Sequence, residues 1–63
     1  MRYYLICWKD LYLYAFEIPL GSLWGIDKMK AMWIEGEEDR DKMLSILTDI
    51  EGLSRSELTV ETL

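Results

Sequence analysis

The chain has 63 residues, 51% of them hydrophobic, and its 12 acidic and 7 basic side chains leave a net charge of −5. With one cysteine and no histidine, it can close no internal disulfide and lacks both the commonest metal ligand and the usual general base. Its acidity also disfavours direct binding to nucleic-acid phosphates or anionic lipid, and its natural electrostatic partner is a basic protein surface.

A single domain over residues 1–63 is expected, near the lower limit of size for folding without help. A domain this small buries only about 60% of the surface its unfolded chain exposes. Without disulfide or metal, stability must come from Trp8, Trp24 and Trp33 or from oligomerisation. The two halves are chemically distinct. All eight aromatic side chains lie within residues 1–33. The whole net charge lies within residues 35–51, where Glu35, Glu37, Glu38, Asp39, Asp41, Asp49 and Glu51 face only Arg40 and Lys42.

Arg2–Trp8 and Leu11–Ile18 are rich in Tyr, Ile, Leu, Trp and Phe and read as a β-hairpin turning at Lys9-Asp10, with a longer loop left open because Lys-Asp is not the Asn-Gly that a type I′ turn prefers. That register sets Trp8 opposite Leu11, Ile6 opposite Leu13, Tyr4 opposite Ala15 and Arg2 opposite Glu17, the last an attractive charge pair. The other face carries Cys7–Tyr12, Leu5–Tyr14 and Tyr3–Phe16. Both faces are apolar, so one covers the core and the other is either covered too or a tyrosine-rich contact surface. No small-residue cleavage site follows Met1-Arg2-Tyr3-Tyr4, so no secretion signal is expected. The longest uncharged stretch, Ile18 to Ile26, is far short of the roughly 18 residues a membrane span needs. The unpaired thiol of Cys7 fits a reducing cytoplasm.

Pro19 and Gly21 end the second strand. Residues 22–34 are open to two readings: a short helix capped by Ser22, or a third strand at Lys30–Glu35. The strand is preferred, because Gly25 weakens a helix and Trp33-Ile34 suits a sheet. Trp24, between Gly21-Ser22-Leu23 and Gly25, falls in a loop, either as an interface anchor or as a ring folded back onto a small core.

Residues 37–51 form an amphipathic helix, with Met43, Ile46, Leu47 and Ile50 on one stripe and Gly52 placed to end it. Glu37, Glu38 and Asp39 suit the positive end of the helix dipole, and Glu38–Lys42 is a favourable i,i+4 pair. Glu37, Glu38, Asp41 and Asp49 fall opposite the apolar stripe, with Leu44 at the edge of that acidic face as a possible contact. Such a face is either simply solvated or a binding surface. Asp49 and Glu51 oppose the dipole at about 0.3–1 kcal/mol each, and that cost marks them as candidates for function. In the tail, Ser54 and Glu57 have capping-box spacing, but Glu57–Thr62 alternates as a strand, which is the preferred reading.

These elements give an α+β fold: an antiparallel sheet of three to four strands, β-β-(β)-α-β, with the helix packed on one face. Its core would hold Ile6, Trp8, Leu13, Trp33, Met43, Ile46, Leu47, Ile50 and Val60. No nucleophile–base pair, calcium-loop pattern or phosphate-binding glycine loop is present, so a non-enzyme without metal or cofactor is expected. The candidate partner-binding residues are Trp24, Glu37, Glu38, Asp41, Leu44, Asp49 and Glu51. Three functional classes fit them: an inhibitor occupying a basic groove with carboxylates standing in for phosphates, a homodimeric or higher accessory protein, and an antitoxin-like subunit whose edge strand augments a partner sheet.

A hairpin at the start (Tyr3-Tyr4-Leu5-Ile6-Cys7-Trp8, then Leu11-Tyr12-Leu13-Tyr14-Ala15-Phe16) followed by an acid-rich helix (Glu35-Gly36-Glu37-Glu38-Asp39) resembles the small phage-encoded host-takeover proteins, of which the anti-CRISPR inhibitors are the best-known group. The resemblance rests on size, charge and layout. It implies binding to an effector ribonucleoprotein in the host cytoplasm, in place of its target DNA, and carries over no individual residue.

Overall fold

Lys9 takes the left-handed conformation (φ 56°) that a two-residue hairpin turn demands, and the turn joins β1 (Tyr3–Trp8) to β2 (Leu11–Glu17). The computed structural model describes residues 2–63. Cys7 faces Tyr12 and Trp8 faces Leu11, the register expected from the sequence. That pairing then stops. A bulge between Leu13 and Ala15 bends β2 away from β1, as bulges do, and a later segment enters the fork. The Met32 N–H donates to the Leu13 carbonyl at 2.8 Å, and Ile34 and Glu35, a two-residue strand β4, pair with Tyr4 and Tyr3. Arg2 therefore meets Gly36, whose N–H donates to its carbonyl at 3.0 Å, rather than Glu17.

The α+β class holds, with five antiparallel strands and one helix packed against them. The strand beyond the expected three to four is β3 (Gly21–Gly25), a segment that reads as a loop. It pairs along β2 from Tyr12–Gly25 to Glu17–Gly21. Gly25 is required there by space: a Cβ would lie 2.3 Å from the Tyr14 ring. The expected third strand, Lys30–Glu35, shrinks to Ile34–Glu35, because Lys28–Lys30 closes a 3-10 turn capped by the Asp27 carboxylate. Strand β5 (Leu58–Thr62) runs along the far edge of β1 from Trp8–Leu58 to Tyr4–Thr62.

Both sheet faces are covered. On one, helix α1 (Glu37–Asp49) lays Leu44 and Leu47 on Ile6, Leu13, Ile34 and Leu58, while the Arg40 guanidinium sits 4.7 Å from the Tyr4 ring centre. On the other, the segment leading from β3 into β4 crosses as a strap. The Asp27 N–H donates to the Tyr14 hydroxyl at 2.7 Å, Lys28 pairs with Glu61, and Met29, Trp33 and Leu63 line a small hollow above the fully buried Leu5.

The helix is rotated from its expected setting. Leu44, expected at the edge of the acidic face, is 7% exposed, whereas Ile50, expected in the core, is 70% exposed. Ile50 lies beyond the helical ladder as its C-cap. Gly52, at φ 77°, turns the chain back so that the Leu53 N–H donates to the Leu47 carbonyl at 3.1 Å and Leu53 closes the core. The second departure in the core is Trp33, exposed to 61%. It precedes β4 on the strap side and lies across Tyr3, with ring centres 5.5 Å apart. Ile6, Leu13 and Leu47 are buried as expected, and Trp8, Met43 and Val60 pack partly buried against them.

Candidate functional site

The rotation of α1 decides what it presents. With Leu44 and Leu47 inward, about 100° per residue turns Glu38 and Asp49 outward and Asp41 to one flank, while Glu37 shares Leu44's bearing at the first position of the helix, and all four are exposed. Two have basic neighbours: Glu38 and Lys42 at 3.2 Å, and Asp41 and Arg40 at 2.9 Å. Such exposed pairs are each worth about 0–1 kcal/mol, so they weaken the local field without abolishing it. Among the described residues, Glu37 and Asp49 join no ion pair. Asp49 accepts only a long 3.4 Å contact from the Thr48 hydroxyl, and its cost to the helix end stays uncompensated.

Glu51 belongs to the fold. Its Oε1 accepts the Ser22 N–H at 2.6 Å and the Ser22 hydroxyl at 2.7 Å. Ser22 Oγ in turn accepts the Trp24 indole N–H at 2.8 Å. This chain clasps the end of α1 to the start of β3, and Gly21 leaves room for it, since a Cβ there would sit 2.8 Å from Glu51 Oε1. The two Ser22 donors hold the Glu51 carboxyl below its ordinary 4.5. The acid that looked costly to its own helix is thus repaid across the molecule. Trp24 is likewise not an outward loop anchor. It lies half-buried in β3, its ring tilted against Trp8 with centres 5.7 Å apart. Of the seven predicted contact residues, Leu44 is in the core and Trp24 and Glu51 are structural, while Glu37, Glu38, Asp41 and Asp49 come together at the surface.

Two surfaces escaped the sequence reading. At the C-terminal end of α1, Ile50 joins Ile18 and Pro19 around a shallow hollow beside Glu17 and Glu51, with Ile18 86% and Leu20 73% exposed. The available signal was Ile18-Pro19-Leu20 itself, an apolar run inside a turn too short to bury it. Nearer the N-terminal end of α1, on the flank that carries Ile50, Met32, Trp33, Met43 and Ile46 floor a groove of about 440 Å³ rimmed by Glu35 and Asp39.

The outer edge of β5 is partly closed. The Leu63 N–H donates to the Tyr3 carbonyl and the Glu57 carbonyl accepts from Lys9, so antiparallel alternation turns the backbone of Leu58, Val60 and Thr62 outward. Leu58 is already engaged: its N–H donates to the Arg55 carbonyl and its carbonyl accepts the Arg55 guanidinium at 2.9 Å. An added strand would find the two residues Val60 and Thr62.

Among the described residues, no group of three or more acidic or cysteine side chains is placed to hold a metal, and no helix is long and apolar enough to cross a membrane. Burial, then the nearby charge of Glu61, pushes the Cys7 thiol up, which keeps it protonated at neutral pH and a poor nucleophile. No protein-family model, curated protein or solved structure matches the chain.

Proposed function

We propose that this chain is a small acidic, non-catalytic binding protein that inhibits a larger nucleic-acid-handling complex by occupying a basic surface on it, an anti-defence role of the anti-CRISPR kind. The observation that carries the reading is the exposed Glu37, Glu38, Asp41 and Asp49, the last adjoining Ile50, which shares a hollow with the exposed Ile18. A basic protein patch needs both components: charge to steer the encounter and apolar side chains to hold it.

Charge density decides how far mimicry of nucleic acid extends. From Glu37 to Asp49 the helix rises about 18 Å at about 1.5 Å per residue, which spaces four carboxylates several ångströms apart. Duplex DNA carries one charge per about 1.7 Å of axis, and a single strand one per about 3.4 Å. The arc stands in for part of one strand's phosphates, not for a duplex.

The test starts from the complex that a tagged copy captures in its native host. Asp41→Lys with Asp49→Lys should slow association at least tenfold and flatten its salt dependence. Ile18→Ser should instead quicken dissociation. The captured complex should lose nucleic-acid binding in step with occupancy by this protein. Charge-reversed protein that binds and inhibits as well as the parent would sink the reading.

A further inference from the structure

Trp33 divides two features that fit one another. On one side is the groove floored by Met32, Met43 and Ile46, with the carboxylates of Glu35 and Asp39 at its rim. Among the described residues neither acid joins an ion pair, although Glu35 accepts a long 3.5 Å contact from the Tyr3 hydroxyl. Lys42 also reaches the groove, where Glu38 holds it at 3.2 Å. On the other side of Trp33 is the Lys28–Met29–Lys30 turn, with Met29 exposed to 90%. It is an apolar knob between two lysines. Trp33 borders both features, since it lines the groove and also the small hollow over Leu5 that Met29 rims.

The groove calls for an apolar side chain flanked by positive charge, and the chain itself carries that chemistry in the turn that shares Trp33 with it. A knob and a groove on either side of one exposed ring make a self-complementary surface, which is what an isologous two-fold contact requires. We infer that the chain forms a symmetric homodimer with Trp33 at the axis. Met29 of each copy enters the groove of the other, and Lys30 faces the partner's Glu35 and Asp39. Lys28 is committed to Glu61 and contributes its aliphatic stem. The net charge of −5 per copy does not forbid this, because Glu37 and Asp41 lie on the other flank of α1 and Asp49 lies about 10 Å along the helix from Lys42, beyond the groove.

The scale predicts a weak dimer. A standard interface takes about 800 Å² from each partner, close to a fifth of the 4354 Å² this chain exposes, which is a large share for a chain this small. Sedimentation from micromolar to millimolar concentration should therefore show the mass rising from 7.5 kDa towards twice that value.

The specific test is a charge exchange between copies. Lys30→Glu alone, and Glu35→Lys with Asp39→Lys, should each raise the concentration needed for dimerisation at least tenfold while leaving the circular dichroism of the parent. Mixed one to one, the two variants should dimerise again, because each supplies the charge the other now faces. Trp33→Ala should abolish association in all cases. A parent that stays monomeric to millimolar concentration, or folded variants that fail to recover on mixing, would overturn the dimer. Neither result touches the acidic arc, so binding of a basic partner stands or falls separately.

Discussion

The rotation of α1 can be tested by comparing Leu44→Ala with Ile50→Ala. The sequence stripe places Ile50 inward and Leu44 outward, and the structure reverses them, at 70% and 7% exposed. Truncating Leu44 removes three carbons from the core, about 2.4 kcal/mol of transfer free energy at about 0.8 kcal/mol each. The cavity left behind raises the expected loss to about 2–5 kcal/mol. Truncating Ile50 forfeits only its buried third, about 0.5–1 kcal/mol of a full burial worth about 1.5–3 kcal/mol. A chain of this length has a total stability of about 3–9 kcal/mol, so Leu44→Ala removes about a fifth of it or more. Urea unfolding followed by far-ultraviolet circular dichroism reads both losses on one scale, with unchanged slopes confirming that the two variants unfold from comparable states. An Ile50→Ala loss equal to or larger than that of Leu44→Ala would refute the rotation. The acidic arc does not depend on this outcome, since turning the helix back would carry Glu37 and Asp41 further from the sheet.

The Glu51–Ser22 clasp gives stability a pH signature. The folded carboxyl is held below its ordinary 4.5, so its contribution is complete above that value and fades as pH falls through the depressed one. Ser22→Ala should therefore narrow the gap between urea stabilities at about pH 7 and about pH 3, and an unchanged gap would show that the clasp carries no linkage. Gly25→Ala would put a Cβ 2.3 Å from the Tyr14 ring and displace the hydroxyl that accepts from Asp27. A loss of about 1–3 kcal/mol is expected in the same assay, and a neutral result would mean that β3 does not approach Tyr14 so closely.

What could be read from the sequence follows the range of the interactions involved. Helix α1 was legible because its formers, its acidic first turn and Gly52 are all local. Its rotation was not: Leu44, Ile46, Leu47 and Ile50 span a wider apolar arc than the sheet can cover, and Leu53, returning beyond Gly52, decides which part is buried. The hairpin turn was legible and its fork was not, because the bulge in β2 depends on β3, a strand whose terminal glycines read as a loop. The sharpest case is the pair Asp49 and Glu51. Sequence shows what each costs the helix end, but the donors that satisfy Glu51 lie 29 residues away. Of the two, Asp49 alone keeps an unanswered cost, so the functional argument from helix electrostatics narrows to one residue.

Charge on the arc cannot supply the affinity that the proposed inhibition needs. Each exposed carboxylate paired across a wet interface is worth roughly 0–1 kcal/mol, and Glu38 and Asp41 must first leave Lys42 and Arg40. Micromolar binding takes about 8 kcal/mol. The exposed fractions of Ile18, Leu20 and Ile50 would together release about 3–7 kcal/mol of apolar surface from water if a partner covered them, at about 1.5–3 kcal/mol per side chain. Most of the holding energy must then come from that apolar end, while the arc governs how fast and in which orientation the partner arrives. This division also accounts for the position of Asp49. It is the carboxylate of the arc nearest Ile50, and in the proposed complex a partner base seated on it would bring the apolar end into register, so a residue that weakens its own helix would align the two parts of the contact.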